Sequence, residues 1–155
     1  MNVIKGDLIK LAKEGRFDVI VHGCNCFNTM GSDIAKQIKL NFPQAYSVDM
    51  TTKAGDEEKL GYFTFCTVTL DNEENLIVVN AYTQYNYGTD KIQVHYYAVR
   101  DVFHRLAGWL PKHFRIGYPK IGAGLAGGDW DTIAKIIDEE LKGHNHTLVE
   151  YDPEG

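Results

Sequence analysis

The chain has 155 residues, 44% hydrophobic and 24% charged, with a formal net charge of −5. That length amounts to one domain, 1–155, able to bury roughly two thirds of its unfolded surface. The acidic balance excludes bulk electrostatic binding to long nucleic acid but not capture of a small anion, because backbone amides and helix dipoles hold phosphate without many lysines. No apolar run approaches the roughly 20 residues of a membrane span, and no signal-peptide pattern opens the chain. The three cysteines, with Cys24 and Cys26 too close for a relaxed bridge, fit a reducing cytoplasm.

In chain order, Met1 to Lys5 is predicted as a strand ended by Gly6-Asp7. A short helix follows over Leu8 to Lys13, with Leu8, Leu11 and Ala12 on one face and Gly15 as its stop. Phe17 to Val21 is an apolar, β-branched buried strand. A helix opening near Ser32 carries Ile34, Ile38 and Phe42 at one-face spacing, and Pro43 ends it and starts another. Leu60–Thr69 and Asn75–Thr83 are β-rich runs joined by Asp71-Asn72-Glu73-Glu74, which predicts a hairpin. A polar, aromatic loop from Tyr82 to Asp90 leads to a long helix striped by Val94, Ala98, Val102, Leu106 and Trp109 or Leu110. Phe114–Tyr118 is a strand, Ile133, Ile136, Ile137 and Leu141 mark the last helix, and Thr147–Tyr151 closes the chain as a strand. His144 and His146 are expected in a surface loop. The order predicts an α/β protein, a three-layer α/β/α sandwich with a mixed central sheet.

Two junctions carry the functional signal. At Val21-His22-Gly23-Cys24-Asn25-Cys26-Phe27-Asn28-Thr29-Met30-Gly31-Ser32-Asp33 a strand runs into a glycine-bearing loop that opens a helix. Ile116-Gly117-Tyr118-Pro119-Lys120-Ile121-Gly122-Ala123-Gly124-Leu125-Ala126-Gly127-Gly128-Asp129 does the same. Each aims amides and a helix N-terminus at one point, which suits an anion. A pair of them predicts a cleft for a ligand with more than one phosphate, at the carboxyl ends of the strands. Neither matches the P-loop or the dinucleotide fingerprint. Cys24 and Cys26 lack partners at zinc spacing, so no metal is expected, and small buried core residues are the better account of them.

These residues resemble the macro domains, which bind ADP-ribose. The likeness covers nearly the whole chain, through Lys5-Gly6-Asp7-Leu8, the strand ending at Asn25, Met30-Gly31-Ser32-Asp33-Ile34-Ala35, and Pro119-Lys120-Ile121-Gly122-Ala123-Gly124-Leu125 followed by Trp130. Within that family His22-Gly23-Cys24-Asn25-Cys26 is similar to the yeast-type ADP-ribose 1″-phosphate phosphatases. The resemblance implies that Asp7, with Leu8, receives adenine. Asn25 and the Met30-Gly31-Ser32 turn then face the distal ribose and phosphate, and Ile121, Gly122, Ala123, Gly124, Leu125 and Ala126 wrap the diphosphate. Asp33 departs from the family pattern by placing a carboxylate where a small residue is usual. Aspartate is also missing at Ala126, and a lysine is missing near Asn80-Ala81-Tyr82-Thr83-Gln84, which counts against hydrolysis of ADP-ribose from acidic side chains. Tyr85 or Tyr87 offers a ring to adenine or ribose.

His22 is the candidate for chemistry, since an imidazole can protonate a leaving oxygen, activate water or accept a phosphoryl group. A buried strand histidine bonded to its neighbours is the plainer account. Asp129 is its candidate partner, or simply the cap of the helix from Trp130. The expectation is therefore a cofactor-free monomer that binds ADP-ribose and hydrolyses its 1″-phosphate. The alternatives are a non-catalytic ADP-ribose-binding module and a hydrolase removing ADP-ribose from protein or nucleic acid.

Overall fold

The computed structural model describes residues 1–31, 33–88, 91–124 and 126–154. Strand β2 (Val19–Cys24) is buried along nearly its whole length, as its apolar opening Val19-Ile20-Val21 requires, and lies inside the sheet. Around it run β1 (Asn2–Gly6), β3 (Phe63–Thr69), β4 (Asn75–Tyr82), β5 (Arg115–Tyr118) and β6 (Asn145–Tyr151). The order across the sheet is β1-β6-β5-β2-β4-β3. Five strands are parallel, and only edge strand β3 runs antiparallel, as the hairpin partner of β4. The turn between them closes on the Leu70 amide, which donates to the Glu74 carbonyl at 2.8 Å.

Helices cover both faces. On one side α4 (Tyr96–Trp109) and α5 (Trp130–Glu140) press Val102, Phe103, Leu106, Ile133 and Ile137 onto Val19, Val21, Val79 and Ile116. On the other, α1 (Leu8–Lys13), α2 (Asp33–Asn41) and α3 (Pro43–Asp49) bring Ala12, Ile38, Phe42 and Ala45 against Ile20, Leu76 and Val78. The predicted three layers and mixed sheet are thus present, and α1 has its predicted bounds. Among the described residues no helix is long and apolar enough to cross a membrane.

Besides shifts of one to three residues at the ends of β1, β3, β4, β5 and β6, three local readings change. Strand β2 begins two residues later than expected, because the Asp18 carboxylate is held by the Arg115 side chain at 3.0 Å and its backbone amide at 2.8 Å. Val94 precedes α4 and sits in an isolated bridge with Gln84. His146 is not a surface loop residue: β6 lies between β1 and β5, so the imidazole is buried, with Nδ1 2.7 Å from the Tyr118 hydroxyl.

The order of strands decides where a ligand can enter. After β2 the chain turns to α2 on one face of the sheet, and after the adjacent β5 it turns to α5 on the other. Loops that part in opposite directions beyond the carboxyl ends of neighbouring parallel strands leave a crevice between them.

Candidate functional site

That crevice is a cleft of 1460 Å³. Asp7, Leu8, Asn25, Gly31, Ile121, Gly122, Ala123, Gly124 and Ala126, all expected from the sequence, line it together. Ser32 and Leu125 lie outside the described residues. Met30 does not line the cleft; it is buried with Cys24, Cys26 and Tyr82 and anchors the loop from beneath.

The glycines of the two loops have different reasons to be glycine. Gly122, at φ 75°, and Gly128 are packed against Val94, and a Cβ on either would come within 2.6 Å of it. The Gly128 amide donates to the Gly122 carbonyl at 2.7 Å, so this pair closes the second loop on itself. Gly31 and Gly124 have no such packing need. A Cβ at Gly31 would meet nothing within 4 Å, and one at Gly124 would meet only Asp33 Oδ2, at 3.0 Å. Bare backbone faces open space at Gly31 and, at Gly124, only the end of the Asp33 side chain, an arrangement that lets a ligand approach main-chain amides closely. Among the described residues the Gly122 and Gly124 amides donate to no backbone carbonyl, whereas Ala123 donates to Lys120 within its turn.

The first loop is held rigid by its own side chains. Asn25 Nδ2 donates to the Thr29 hydroxyl at 2.7 Å and to the Thr29 carbonyl at 3.2 Å, while Oδ1 accepts from the Phe27 amide at 2.8 Å. Both amide protons are thereby engaged, and one acceptor lone pair remains for a ligand hydroxyl. Asn28, at φ 60°, joins the loop to the segment after α3: Nδ2 donates to the Thr52 carbonyl at 2.8 Å, and Oδ1 accepts from the buried Lys59 ammonium at 2.7 Å. Asp33, at φ 57°, opens α2 with its carboxylate turned toward Gly124, so a negative charge faces the cleft between the two loops.

At the β1/β6 end, Asp7 commits one of its two carboxylate oxygens to the fold. Oδ1 accepts from the Ile9 and Lys10 amides at 3.0 and 3.3 Å and caps α1, while Oδ2 has no protein partner among the described residues. Parallel pairing of β1 with β6 sets Tyr151 opposite Gly6, and its ring, 75% exposed, stands at the mouth of the cleft beside Glu150. Sequence reasoning missed Tyr151, because only strand order brings the end of β6 beside Asp7. At the opposite end Tyr87 borders the cleft, edge-on to Phe27 at 6.2 Å. Tyr85 does not; its hydroxyl donates to the Gly55 carbonyl at 2.9 Å.

Neither residue expected to carry chemistry reaches the cleft. His22 alternates with Val21 and points to the α3 side, where it is 1% exposed and its Nε2 lies 2.7 Å from Asn80 Oδ1. Burial holds the imidazole down at about 4, against a smaller opposing pull from Asn80, so it is neutral near pH 7. Asn80 donates in turn to the Ala45 carbonyl and to Thr64. The Thr64 hydroxyl lies 3.0 Å from that of Tyr82, which donates to buried Asp49 at 2.7 Å. His22 is thus the end of a buried structural chain. Asp129 caps α5 through Thr132, at 3.1 Å to its amide and 2.6 Å to its hydroxyl. Burial pushes the Cys24 thiol up and that of Cys26 to about 11, so neither supplies a thiolate at neutral pH.

No family model matches the chain. It is 33% identical over 154 residues to the uncharacterized 17.5 kDa protein in the tk-vs intergenic region of Enterobacteria phage T4, covering 97% of this chain and 96% of that one. Among solved structures it is similar to a Bacteroides thetaiotaomicron protein of unknown function, at 28% identity and TM-score 0.74 over 96% of each chain. The macrodomain of Thermus aquaticus DarG superposes at TM-score 0.71 and 20% identity, over 98% of this chain and 97% of that one. A Trypanosoma brucei macrodomain in complex with ADP-ribose does so at TM-score 0.65 and 14% identity, over 98% of this chain and 63% of that one. The chain therefore has the macrodomain fold and belongs to the family of the phage T4 17.5 kDa protein.

Proposed function

We propose that the protein is an ADP-ribose-binding module. The observation that carries this reading is the pair Gly31 and Gly124, whose absent side chains leave backbone bare on opposing walls of a cleft at the switch point of the sheet. The Gly122 and Gly124 amides suit a diphosphate, which accepts charge-assisted hydrogen bonds without lysine. Asp7 Oδ2 suits the exocyclic amine of adenine, with the Tyr151 ring available to stack on the base. Asn25 then meets the distal ribose with its remaining lone pair. The Trypanosoma brucei macrodomain, solved with ADP-ribose, supports the choice of ligand.

Hydrolysis of ADP-ribose 1″-phosphate needs a proton donor, base or nucleophile at the terminal phosphate. With His22 enclosed on Asn80 and Asp129 spent on its helix, the residues expected to supply one do not line the cleft. Binding is what this geometry supports best.

Titration calorimetry with ADP-ribose tests it. Wild type is expected to bind, and Gly124→Val to lose at least about tenfold in affinity with Tm retained, since the added methyls fill ligand space rather than core. A wild type that does not bind ADP-ribose sinks the reading. Phosphate release from ADP-ribose 1″-phosphate by wild type, lost in His22→Ala, would restore the phosphatase.

A further inference from the structure

The cleft, at 1460 Å³, is larger than most small-molecule pockets, which span roughly 300–1,000 Å³. The lining continues past Asp7 as an arm between two helices, along α1 to Lys10 and Lys13 and along α2 to Lys36, Gln37 and Asn41. Lys13 Nζ donates to Asn41 Oδ1 at 2.7 Å, which ties α1 to α2 and fixes one ammonium in the arm. Lys10 and Lys36 are exposed, and among the described residues neither has a carboxylate within ion-pair distance. The carboxylates lining the cleft stand at its inner end: Asp7 and Glu150 at the β1/β6 mouth, where the arm opens, and Asp33 at the start of α2, between the glycine loops.

Three lysines, Lys10, Lys13 and Lys36, therefore line one arm of the cleft in a chain whose net charge is −5. Like charges brought together raise the local potential, and an anion placed among them is attracted by all three. The arm opens beside Asp7, so what enters it is attached to the adenosine half of the ligand rather than to the distal ribose.

We infer that the α1–α2 arm is a second anion subsite, and that the preferred ligand is an ADP-ribose carrying an additional phosphate or phosphodiester on its adenosine ribose. The inference rests on the ADP-ribose reading, because that reading puts adenosine at Asp7. Lys10 and Lys36 supply the contacts and Lys13, held by Asn41, the fixed charge. Glutamine at Lys10 and Lys36 removes the charges while leaving the solvated helix faces intact.

The test compares two ligands, ADP-ribose and ADP-ribose 2′-phosphate, on wild type and on the Lys10→Gln/Lys36→Gln double variant by calorimetry. In wild type the 2′-phosphate is expected to tighten binding roughly tenfold at low salt, a preference that shrinks as salt is raised. In the double variant the ratio between the two ligands falls below about twofold. A ratio near one in wild type, or a tenfold ratio surviving in the double variant, overturns the inference and leaves ADP-ribose binding standing. Failure of both ligands to bind wild type removes the underlying reading, and the inference with it.

Discussion

Asp33 is the residue at which this cleft is least suited to a diphosphate. Its φ of 57° is a conformation that aspartate and asparagine tolerate better than most residues, and that backbone turns the carboxylate toward Gly124. If the diphosphate lies against the second glycine loop as proposed, a negative charge there opposes it by about 1 kcal/mol at a separation of several ångströms in a partly solvated site. Asp33→Asn keeps both shape and backbone preference and removes the charge. Its ADP-ribose Kd is expected to fall roughly fivefold, most at low ionic strength. Equal Kd values for wild type and variant by calorimetry would mean that the carboxylate does not face the bound phosphates. The departure at position 33 is visible in the sequence, but the direction of its side chain follows from the backbone of α2 meeting a loop about ninety residues away.

At the scale of the element, one side chain at the start of α1 serves the fold and, on the proposed reading, the ligand. Asp7 Oδ1 caps the helix and Oδ2 is left for the cleft, so removing the residue and changing its chemistry have separable effects. Asp7→Ala loses the cap and is expected to cost about 1 kcal/mol of stability as well as affinity. Asp7→Asn still caps, since asparagine is an equally good N-cap, but presents an amide donor where adenine offers an amine donor. We expect its Tm to match wild type while ADP-ribose affinity drops roughly tenfold. An ADP-ribose affinity unchanged in Asp7→Asn would show that the cap, not an adenine contact, is what this carboxylate provides. Helix α1 was legible in the sequence to its end residues because cap, apolar face and glycine stop are local signals. The start of β2 was not, because Asp18 is diverted by Arg115, far along the chain.

For the whole molecule, the enclosed polar chain through His22 makes stability depend on pH. The native imidazole titrates at about 4 and an unfolded one near 6.5. Between those values the unfolded chain binds a proton that the native state refuses, so stability falls as pH is lowered from about 6.5 towards 4. The full loss is about 3 kcal/mol, complete below the native value. Burial also lowers His146, which adds in the same direction. Urea midpoints at pH 7 and pH 4.5 are expected to differ by less in His22→Gln than in wild type. Equal differences would place the acid sensitivity elsewhere.

The sequence by itself determined the α/β class, the helices, the β3–β4 hairpin and the two glycine loops, because periodicity, caps and turn residues act over a few positions. It also identified most of the cleft's walls, since a strand–glycine loop–helix junction is a local motif. Only the tertiary structure decided that β5 lies beside β2, which makes the crevice, and that β6 ends beside Asp7, which adds Tyr151. Only it turned His22 away from the cleft, because the in-register pairing of His22 with Asn80 fixes which side of the sheet both occupy. Strand order and register are set by contacts between distant segments, and no short-range pattern carries them.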